Sequence, residues 1–241
     1  MDEPLARKLS TYKPSAAAID LIKDTSILLL VGPTGAGKDA LKKKLIETGR
    51  YHHIISHTTR PPRINQGVRE QDGVEYHFIT TEQAEKMLDE QAFIESKTYS
   101  GNIYGTSIAE IQAAHDENKI AVTDLEVQGV AEYKAFDENV MAVFLVPPDF
   151  QTWQTRLQRR YGDVVDAVDH RRRLLTALDE IEQLLNTDFY MPVINEDLDR
   201  AFSEVQSITT THTQEYEQEK QAHDVAEKLA ADIKTYLASN S

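Results

Sequence analysis

The stretch "LLLVGPTGAGKDAL", from Leu28 to Leu41, constrains the fold of this chain more than any other. It opens with a continuous apolar run, breaks at Gly32 into a glycine-rich turn and then takes up a pattern typical of a helix. A short apolar run bounded by glycine predicts a strand that is covered on both faces, as in a parallel sheet. The order of strand, glycine-rich turn and helix therefore predicts an α/β domain that binds phosphate at the turn.

The turn itself has the pattern G-x-x-x-x-G-K, ending at Lys38. Glycines at three positions of the turn let the backbone direct its N–H groups inward, and the start of the following helix adds partial positive charge. A lysine at the helix start can reach the phosphate that is transferred. We therefore predict a nucleotide-phosphate site that is formed by Gly32, Pro33, Thr34, Gly35, Ala36, Gly37, Lys38 and Asp39.

Asp39 occupies the position where a serine or threonine usually ligates magnesium. A carboxylate there could bind the ion directly or through water, or it could repel the β-phosphate and weaken binding. Nothing else in the loop departs from the pattern. We favour a tolerated variant with an altered metal dependence.

Apolar runs and helical spacing alternate along the rest of the chain. Further buried strands are predicted at His53–His57, Lys119–Leu125, Val140–Val146 and Met191–Asn195. Helices are predicted at Lys38–Thr48, Ser107–Glu117, Asp149–Arg159, Val168–Leu185 and Leu198–Ile208. Strands that alternate with helices predict an α/β fold with a central parallel sheet flanked by helices.

Three segments lie outside this alternation. Between His57 and Thr106, short alternating strands around one helix predict a small inserted subdomain. Residues 1–25 are polar and form an N-terminal extension with a short helix near Ala16–Ile22. Residues 209–241 combine the polar linker "TTTHTQ" with an amphipathic helix, for which we favour packing against its own domain over a contact with a dimer mate or partner.

Composition narrows the class of protein. The chain has no cysteine and carries a formal net charge of −14, which argues against a disulfide framework and against a nucleic-acid partner. No segment has the length of a membrane span or the apolar core of a signal peptide, so we expect a cytoplasmic protein that does not contact membranes. Nine of the twelve arginines nevertheless fall into two clusters, which predicts either recognition of small anions or solvated helix faces.

Several motifs appear together in a single order: "ISHTTRPPR", "EQDGVEYHF", "FIESKTYSGNIYGT", "VTDLEVQG" and "VINEDLDRA". With the phosphate loop, they make the chain resemble guanylate kinase from about Ser26 to Ile208. The resemblance implies a P-loop kinase fold over residues 26–208, with a mixed β subdomain that binds GMP at 58–106 and a helical lid at 156–173. It also implies phosphorylation of GMP, and of dGMP, by ATP with Mg²⁺ as the cofactor.

The family's acceptor residues transfer onto matching positions of this chain. The resemblance implies that GMP is bound by Ser56, Arg60, Arg63, Glu70, Tyr76, Glu95, Tyr104, Thr106 and Glu126. Arg60 and Arg63 suit a phosphate because guanidinium forks pair with its oxygens. Glu95 and Thr106 suit guanine, whose N1–H and N2 donors need a carboxylate. Glu126 is one methylene longer than the aspartate that is common at its position.

The donor side also transfers by resemblance. Catalytic roles fall to Lys38, Arg60, Arg156, Arg160 and Arg173, of which Arg173 aligns best among the three consecutive arginines that end at it. Asn195 corresponds to a contact beside the adenine, and Asp124 joins Asp39 as a candidate ligand of the metal. Since phosphoryl transfer to a phosphate oxygen needs no general base, we interpret His52, His53 and His57 as strand and surface residues.

Two other activities stay open at this point. A kinase of similar fold that acts on a phosphorylated sugar also follows its loop lysine with aspartate, but has no use for Glu95, Thr106 and Glu126. A guanylate-kinase-like module without catalytic activity typically loses the lysine loop, which is complete here. The sequence leaves open whether the chain is a monomer or a homodimer.

Overall fold

The computed structural model describes residues 3–65, 67–99, 101–161 and 167–240. The helices within these ranges are α1 (Glu3–Thr11), α2 (Ala16–Lys23), α3 (Lys38–Glu47), α4 (Thr81–Asp89), α5 (Ile108–Asp116), α6 (Val127–Phe136), α7 (Phe150–Tyr161), α8 (Ala167–Leu185), α9 (Leu198–Thr211) and α10 (Tyr216–Ser239). The strands are β1 (Ile27–Val31), β2 (Tyr51–His53), β3 (His57–Thr58), β4 (Ile64–Asn65), β5 (Val68–Arg69), β6 (His77–Phe78), β7 (Phe93–Tyr99), β8 (Asn102–Ser107), β9 (Ile120–Asp124), β10 (Met141–Val146) and β11 (Tyr190–Ile194).

The chain divides into two compact units, and the phosphate loop belongs to the one that comprises Leu28–Arg50, Asp124–Ala131 and Asn139–Ser241. We call it the donor unit. In it, β10 pairs in parallel with β1 on one side and with β11 on the other. Every residue of β1 and β10 is buried, as their continuous apolar sequences predict. The strands predicted before Gly32, at Val140–Val146 and at Met191–Asn195 are confirmed, and so is the α/β fold with parallel strands and flanking helices.

The C-terminal helix α10 packs within the donor unit, against α7, α8, β10 and β11. Its apolar stripe, which includes Ala226, Leu229, Ile233 and Leu237, is buried there. The predicted packing of this helix against its own chain is confirmed. Helix α9 continues to Thr211, so it includes three residues of the segment that we predicted as polar linker.

The second unit, which we call the acceptor unit, comprises Met1–Ile27, Tyr51–Thr123 and Glu132–Glu138. It contains a mixed four-stranded sheet in the order β6-β3-β8-β7, in which β3 is parallel to β6 and antiparallel to β8. Strands β7 and β8 pair antiparallel, and β7 is the edge strand. The same unit holds the parallel pair β2 and β9 and the short hairpin β4–β5. This agrees with the predicted mixed β architecture of the inserted segment.

The strand predicted at His53–His57 is wrong. Strand β2 ends at His53, where it pairs with β9, and β3 begins at His57, where it pairs with β6 and β8. Residues 54–56 connect the two ladders, although Ile54 still donates its backbone N–H to Val122 O at 3.0 Å. The apolar pair at 54 and 55 suggested the middle of one strand because periodicity cannot show that a chain changes its pairing partner.

Two helices escaped prediction. Helix α1 has an apolar face of only two buried residues, Leu5 and Leu9, in nine positions, and α6 contains Gly129 in its first turn. Glycine disfavours helix by about 1 kcal/mol relative to alanine, so tertiary packing decides there. In "VEYHFI", only His77 and Phe78 form a strand.

Candidate active site

The phosphate loop of the donor unit connects β1 to α3 through backbone conformations that glycine permits. Gly32 has φ of +128° and lies so close to β10 that a Cβ atom would overlap the carbonyl of Leu145. Gly37 has φ of +101° and precedes α3 without offering a side-chain cap. The first N–H groups of a helix have no acceptor within the helix, so this end of α3 is suited to an anion.

Two side chains from other elements hold the loop. Asn195, which is buried, donates from Nδ2 to the carbonyl of Ala36 at 2.7 Å. Trp153 on α7 donates from Nε1 to the carbonyl of Thr34 at 2.8 Å. Asn195 was predicted as an adenine contact, and in this structure it supports the loop. Trp153 was missed, because a buried tryptophan at helical spacing is usually a core residue.

Lys38, the first residue of α3, directs its ammonium group at the loop. Its Nζ donates to the carbonyl of Gly32, with the carbonyl of Pro33 at 3.5 Å. Burial lowers the pKa of Lys38, while the nearby carboxylates of Glu180 and Asp124 act in the opposite direction. The position of this cation agrees with the predicted role of a phosphate-binding lysine.

Glu180 on α8 is a charged residue beside the loop that we did not predict. The pKa of Glu180 is raised to about 7, because burial, helped by the negative charge of Glu126, outweighs the opposing effect of Lys38. Its Oε2 atom is buried and has no hydrogen-bond partner among the described residues. The sequence did carry a clue, because Glu180 lies on α8 beside the buried residues Ala177 and Ile181. A carboxylate that is held close to the apolar side of a helix is unusual.

The two predicted metal ligands are both paired with cations. Asp39 accepts from Nη1 of Arg160 at 3.3 Å, and both side chains are more than half exposed. Asp124 forms an ion pair with Lys42. Burial by itself would raise the pKa of Asp124, but Lys42 and then Lys38 outweigh it, so the net shift is downward. Asp124 is therefore charged at neutral pH. Lys42 was missed, although it follows Lys38 by one helical turn.

Magnesium chemistry fits this pair of carboxylates. The described residues contain no group of three or more acidic or histidine side chains that could hold a metal ion by themselves. Mg²⁺ in nucleotide sites keeps several waters and takes one or two carboxylates together with phosphate oxygens. Asp39 and Asp124 both act electrostatically on Lys38, so they lie near the loop and supply a donor set of this kind.

The predicted lid arginines of the donor unit have protein partners. Arg156 donates to the carbonyl of Glu196 at 3.3 Å, and burial lowers its pKa. Arg172 and Arg173 both donate to Asp169, at 2.6 and 3.1 Å. Residues 162–166 of the predicted lid lie outside the described residues. The Arg173 side chain is 24% exposed, that of Arg172 is 65% exposed and Arg171 is also exposed, so Arg173 is the least exposed of the three.

In the acceptor unit, Arg60 and Glu70 form a two-pronged ion pair. Nη1 and Nη2 of Arg60 donate to the two oxygens of Glu70 at 2.8 and 3.2 Å, and both side chains are less than 10% exposed. The backbone N–H of Arg63 donates to the same carboxylate at 2.7 Å. Burial would raise the pKa of Glu70, but Arg60 and the Arg63 amide outweigh it and lower the pKa. Glu70 therefore fixes the direction of the Arg60 guanidinium.

Two tyrosines complete this group. The rings of Tyr76 and Tyr104 lie 5.9 Å apart with an interplanar angle of 72°. The guanidinium carbon of Arg60 lies 5.2 Å from the centre of the Tyr76 ring, within the range of a cation–π contact. Arg60, Arg63, Glu70, Tyr76 and Tyr104, which the resemblance implies as neighbours, thus lie together.

Glu95 and Thr106 are cross-strand partners on β7 and β8. The backbone N–H of Thr106 donates to Oε1 of Glu95 at 3.1 Å, and Thr106 is fully buried. Burial raises the pKa of Glu95, whereas hydrogen bonding to Thr106 opposes the shift. A register shift separates Glu95 from Phe93 and marks a β-bulge, a device that redirects side chains.

The two remaining residues of the acceptor prediction are Ser56 and Glu126. Ser56 is half-buried just before β3, and its carbonyl accepts from the backbone N–H of His77 at 2.9 Å. Glu126 belongs to the donor unit and is exposed. Its role toward the acceptor stays a prediction.

The histidines are placed as strand residues. His52 and His53 belong to β2 and His57 to β3. Burial, and then the neighbouring His77, lower the pKa of His57 to about 4, so this ring is neutral at physiological pH. His52 contacts Glu117 at 3.1 Å.

Comparisons with known proteins point to one family. The guanylate kinase family profile matches residues 24–212. The guanylate kinase of Schizosaccharomyces pombe is 36% identical over 184 residues, which cover 75% of this chain and 88% of the yeast protein. The human guanylate kinase is 34% identical over 181 residues, covering 74% and 89%. A crystal structure of guanylate kinase from Anaplasma phagocytophilum superposes with a TM-score of 0.58 at 23% identity, covering 80% of this chain and 89% of that one.

Proposed function

The chain belongs to the guanylate kinase family, and from this membership we propose that it transfers a phosphoryl group from ATP to GMP, and to dGMP, producing ADP and the nucleoside diphosphate. The yeast and human relatives with this name match 75% and 74% of the chain, at 36% and 34% identity. The charged groups of each unit agree with this activity, one unit for the donor nucleotide and one for the acceptor.

One observation carries the choice of acceptor: the cross-strand pair of half-buried Glu95 and buried Thr106. Guanine presents N–H donors on its Watson–Crick edge, and a carboxylate is the side chain that accepts from them. A site with unpaired polar groups rejects a base that leaves those groups unsatisfied. Adenine does not offer the same donors, so this pair favours GMP over AMP.

Acceptor binding falls to the cluster around Arg60. Arg60 and Arg63 carry the charge that a nucleoside monophosphate needs, and the hydroxyls of Tyr76 and Tyr104 can donate to its remaining oxygens. The attacking group is already a phosphate oxyanion, so no side chain has to remove a proton. The task of this cluster is to position the acceptor oxygen, which agrees with a buried and preoriented Arg60.

On the donor side, Lys38 and the backbone N–H groups of the loop bind the ATP phosphates. Arg156, Arg160 and Arg173 lower the energy of the transition state by neutralising the charge that spreads over the moving group. We assign Asp39 and Asp124 as the carboxylates that hold Mg²⁺. When bound, the ion supplies neutralisation of charge on the phosphate oxygens.

Neither alternative activity gains support. A sugar-phosphate kinase would not need the paired Glu95 and Thr106, and a binding module would not need Lys38 in an intact phosphate loop. The matched relatives are named as guanylate kinases. No described helix has the length and apolar character of a membrane span.

The proposal is tested by ADP release in a coupled assay with GMP, dGMP, AMP or no acceptor. Lys38→Met should lower kcat by about a hundredfold or more, since it removes a cation from the transition state. Lys43→Met is the matched control, because Lys43 is an exposed lysine of the same helix, and it should leave kcat unchanged. Turnover with AMP but not GMP, or equal loss in both variants, would refute the proposal.

The same assay examines Asp39. With Mg²⁺ and Mn²⁺ compared, Asp39→Ser should change the metal preference while the wild type turns over GMP with either ion. If only the serine variant were active, the aspartate would be a disabling substitution and not a tolerated one.

A further inference from the structure

Residues 3–12 dock on the sheet that carries the predicted acceptor residues. Helix α1 packs against α4 and β7, and its two apolar residues, Leu5 and Leu9, are 3% and 8% exposed. They join Leu88, Phe93 and Ile103 in one hydrophobic cluster. This segment precedes residue 24, where the match to the family profile begins.

Tyr12 connects this segment to the backbone of β7. Its hydroxyl donates to the carbonyl of Phe93 at 2.6 Å and accepts from the backbone N–H of Phe93 at 3.0 Å. The two rings meet edge to face with centroids 6.4 Å apart. Strand β7 is the edge of its sheet, where backbone groups on the outer side lack a strand partner. One hydroxyl therefore satisfies both outward groups of Phe93.

Two ion pairs also connect α1 to α4. Lys8 pairs with Asp89 at 2.7 Å and with Glu85 at 3.1 Å, both on α4. Such exposed pairs contribute little energy, but they fix the direction of α1. Burial, opposed by the hydrogen bond to Phe93, raises the pKa of Tyr12, so its hydroxyl keeps its proton at neutral pH.

Phe93 lies next to the groups that read the base. The register shift of β7 falls between Phe93 and Glu95. Across the ladder, the Phe93 ring lies against Gly105: a Cβ atom on Gly105 would come within 2.9 Å of the ring and 2.7 Å of the Glu95 carbonyl. Gly105 stands directly between Tyr104 and Thr106. A movement of Phe93 would therefore be transmitted to both strands of the base-reading pair.

We propose that Tyr12 is a positioning residue for acceptor recognition, which clamps the bulge of β7 so that Glu95 stays opposite Thr106. The inference rests on the proposed function, in which these two residues bind guanine. Tyr12 does not touch the base. It acts through the backbone of Phe93, and its loss should weaken GMP binding more than ATP binding.

The test compares Tyr12→Phe with the wild type. The variant keeps the ring and removes the two hydrogen bonds, so we expect the KM for GMP to rise about threefold to tenfold while the KM for ATP changes less than twofold. The difference in KM between GMP and IMP, which lacks the N2 donor, should become smaller. Tyr216→Phe is the control, because Tyr216 is 71% exposed on α10, and it should behave as wild type.

Amide hydrogen exchange provides a readout that does not depend on activity. In Tyr12→Phe, the amide of Phe93 should exchange faster, while the amides of β10 keep their protection. Leu9→Ala, which loosens the docking of α1 without altering the hydroxyl, should give the same effects in weaker form.

The outcomes separate the two proposals. A wild type without GMP turnover would overturn the proposed function, and the inference with it. An active wild type whose Tyr12→Phe variant melts earlier but keeps its KM for GMP would overturn the inference alone, since Tyr12 would then be merely structural. Equal increases in KM for GMP and ATP would also overturn it.

Discussion

Replacing Gly37 by alanine should damage the phosphate loop in two separable ways. The residue has φ of +101°, a conformation that costs an L-amino acid about 1–2 kcal/mol. The added Cβ atom would also overlap Nδ2 of Asn195, which is buried and donates to the carbonyl of Ala36 at 2.7 Å. Displacing this amide leaves buried polar groups unsatisfied, at about 1–3 kcal/mol. The two contributions together predict a free energy of unfolding that is about 2–5 kcal/mol lower.

Gly49 offers a matched control. It also has a positive φ, of +75°, but no atom lies within 4 Å of the position that its Cβ would take. Gly49→Ala should therefore show the conformational cost alone. The unfolded chain loses similar freedom in both variants, so this effect cancels in the comparison. In urea unfolding, the free energy of unfolding of Gly37→Ala should be about 1–3 kcal/mol lower than that of Gly49→Ala. The KM for ATP should rise only in Gly37→Ala.

Equal losses of stability in the two alanine variants would contradict this prediction, because the overlap with Asn195 would then not contribute to the free energy of unfolding. A double variant offers a second check. Gly37→Ala combined with Asn195→Ala should be less destabilised than the sum of the two single variants, since the clash requires both side chains. Simple additivity would contradict the proposed overlap.

Three further results are expected. Glu180 has a pKa raised to about 7, so the folded state binds its proton more tightly; the stability that this provides is complete below about pH 4.5 and is lost as pH rises through 7. Glu180→Gln should therefore flatten the stability profile between pH 5 and 8 in thermal melts, and an unchanged slope would contradict it. Leu229→Ala should cost about 2–5 kcal/mol in urea unfolding, because Leu229 is 1% exposed in the interface of α10, whereas a loss below 1 kcal/mol would mean that this helix is not part of the core. Trp153→Phe removes the hydrogen bond to Thr34 and should raise the KM for ATP but not that for GMP, and equal changes in both would refute a loop-specific role.

Much of the fold could be predicted because its core strands are unambiguous. Strand β10 is apolar at every position, so its burial could be predicted. The strand before the phosphate loop is bounded by Gly32, so its end could be predicted. The acceptor cluster could be predicted only through resemblance. Spacing alone does not reveal that Arg60, Tyr76 and Tyr104 meet, since each also suits an ordinary strand or turn.

The features that could not be predicted from the sequence depend on contacts between residues that are distant in the chain. Tyr12 reads as part of a polar extension, and only the structure reveals its hydrogen bonds to a strand 81 positions away. The break between His53 and His57 has the same origin, because a change of pairing partner leaves periodicity intact. Glu180 was overlooked because one carboxylate on a long helix is commonly solvated.

The pairing of Arg60 with Glu70 means that, in the proposed acceptor site, the Arg60 guanidinium is neutralised by a carboxylate before any nucleotide binds. Binding a monophosphate is then an exchange, in which phosphate oxygens must replace or share a carboxylate that already fits the guanidinium fork. For a weakly charged anion, such an exchange contributes little binding free energy. A dianion that also contacts the neighbouring tyrosines gains more binding free energy. In the proposed function, selectivity would therefore begin at the phosphate as well as at the base.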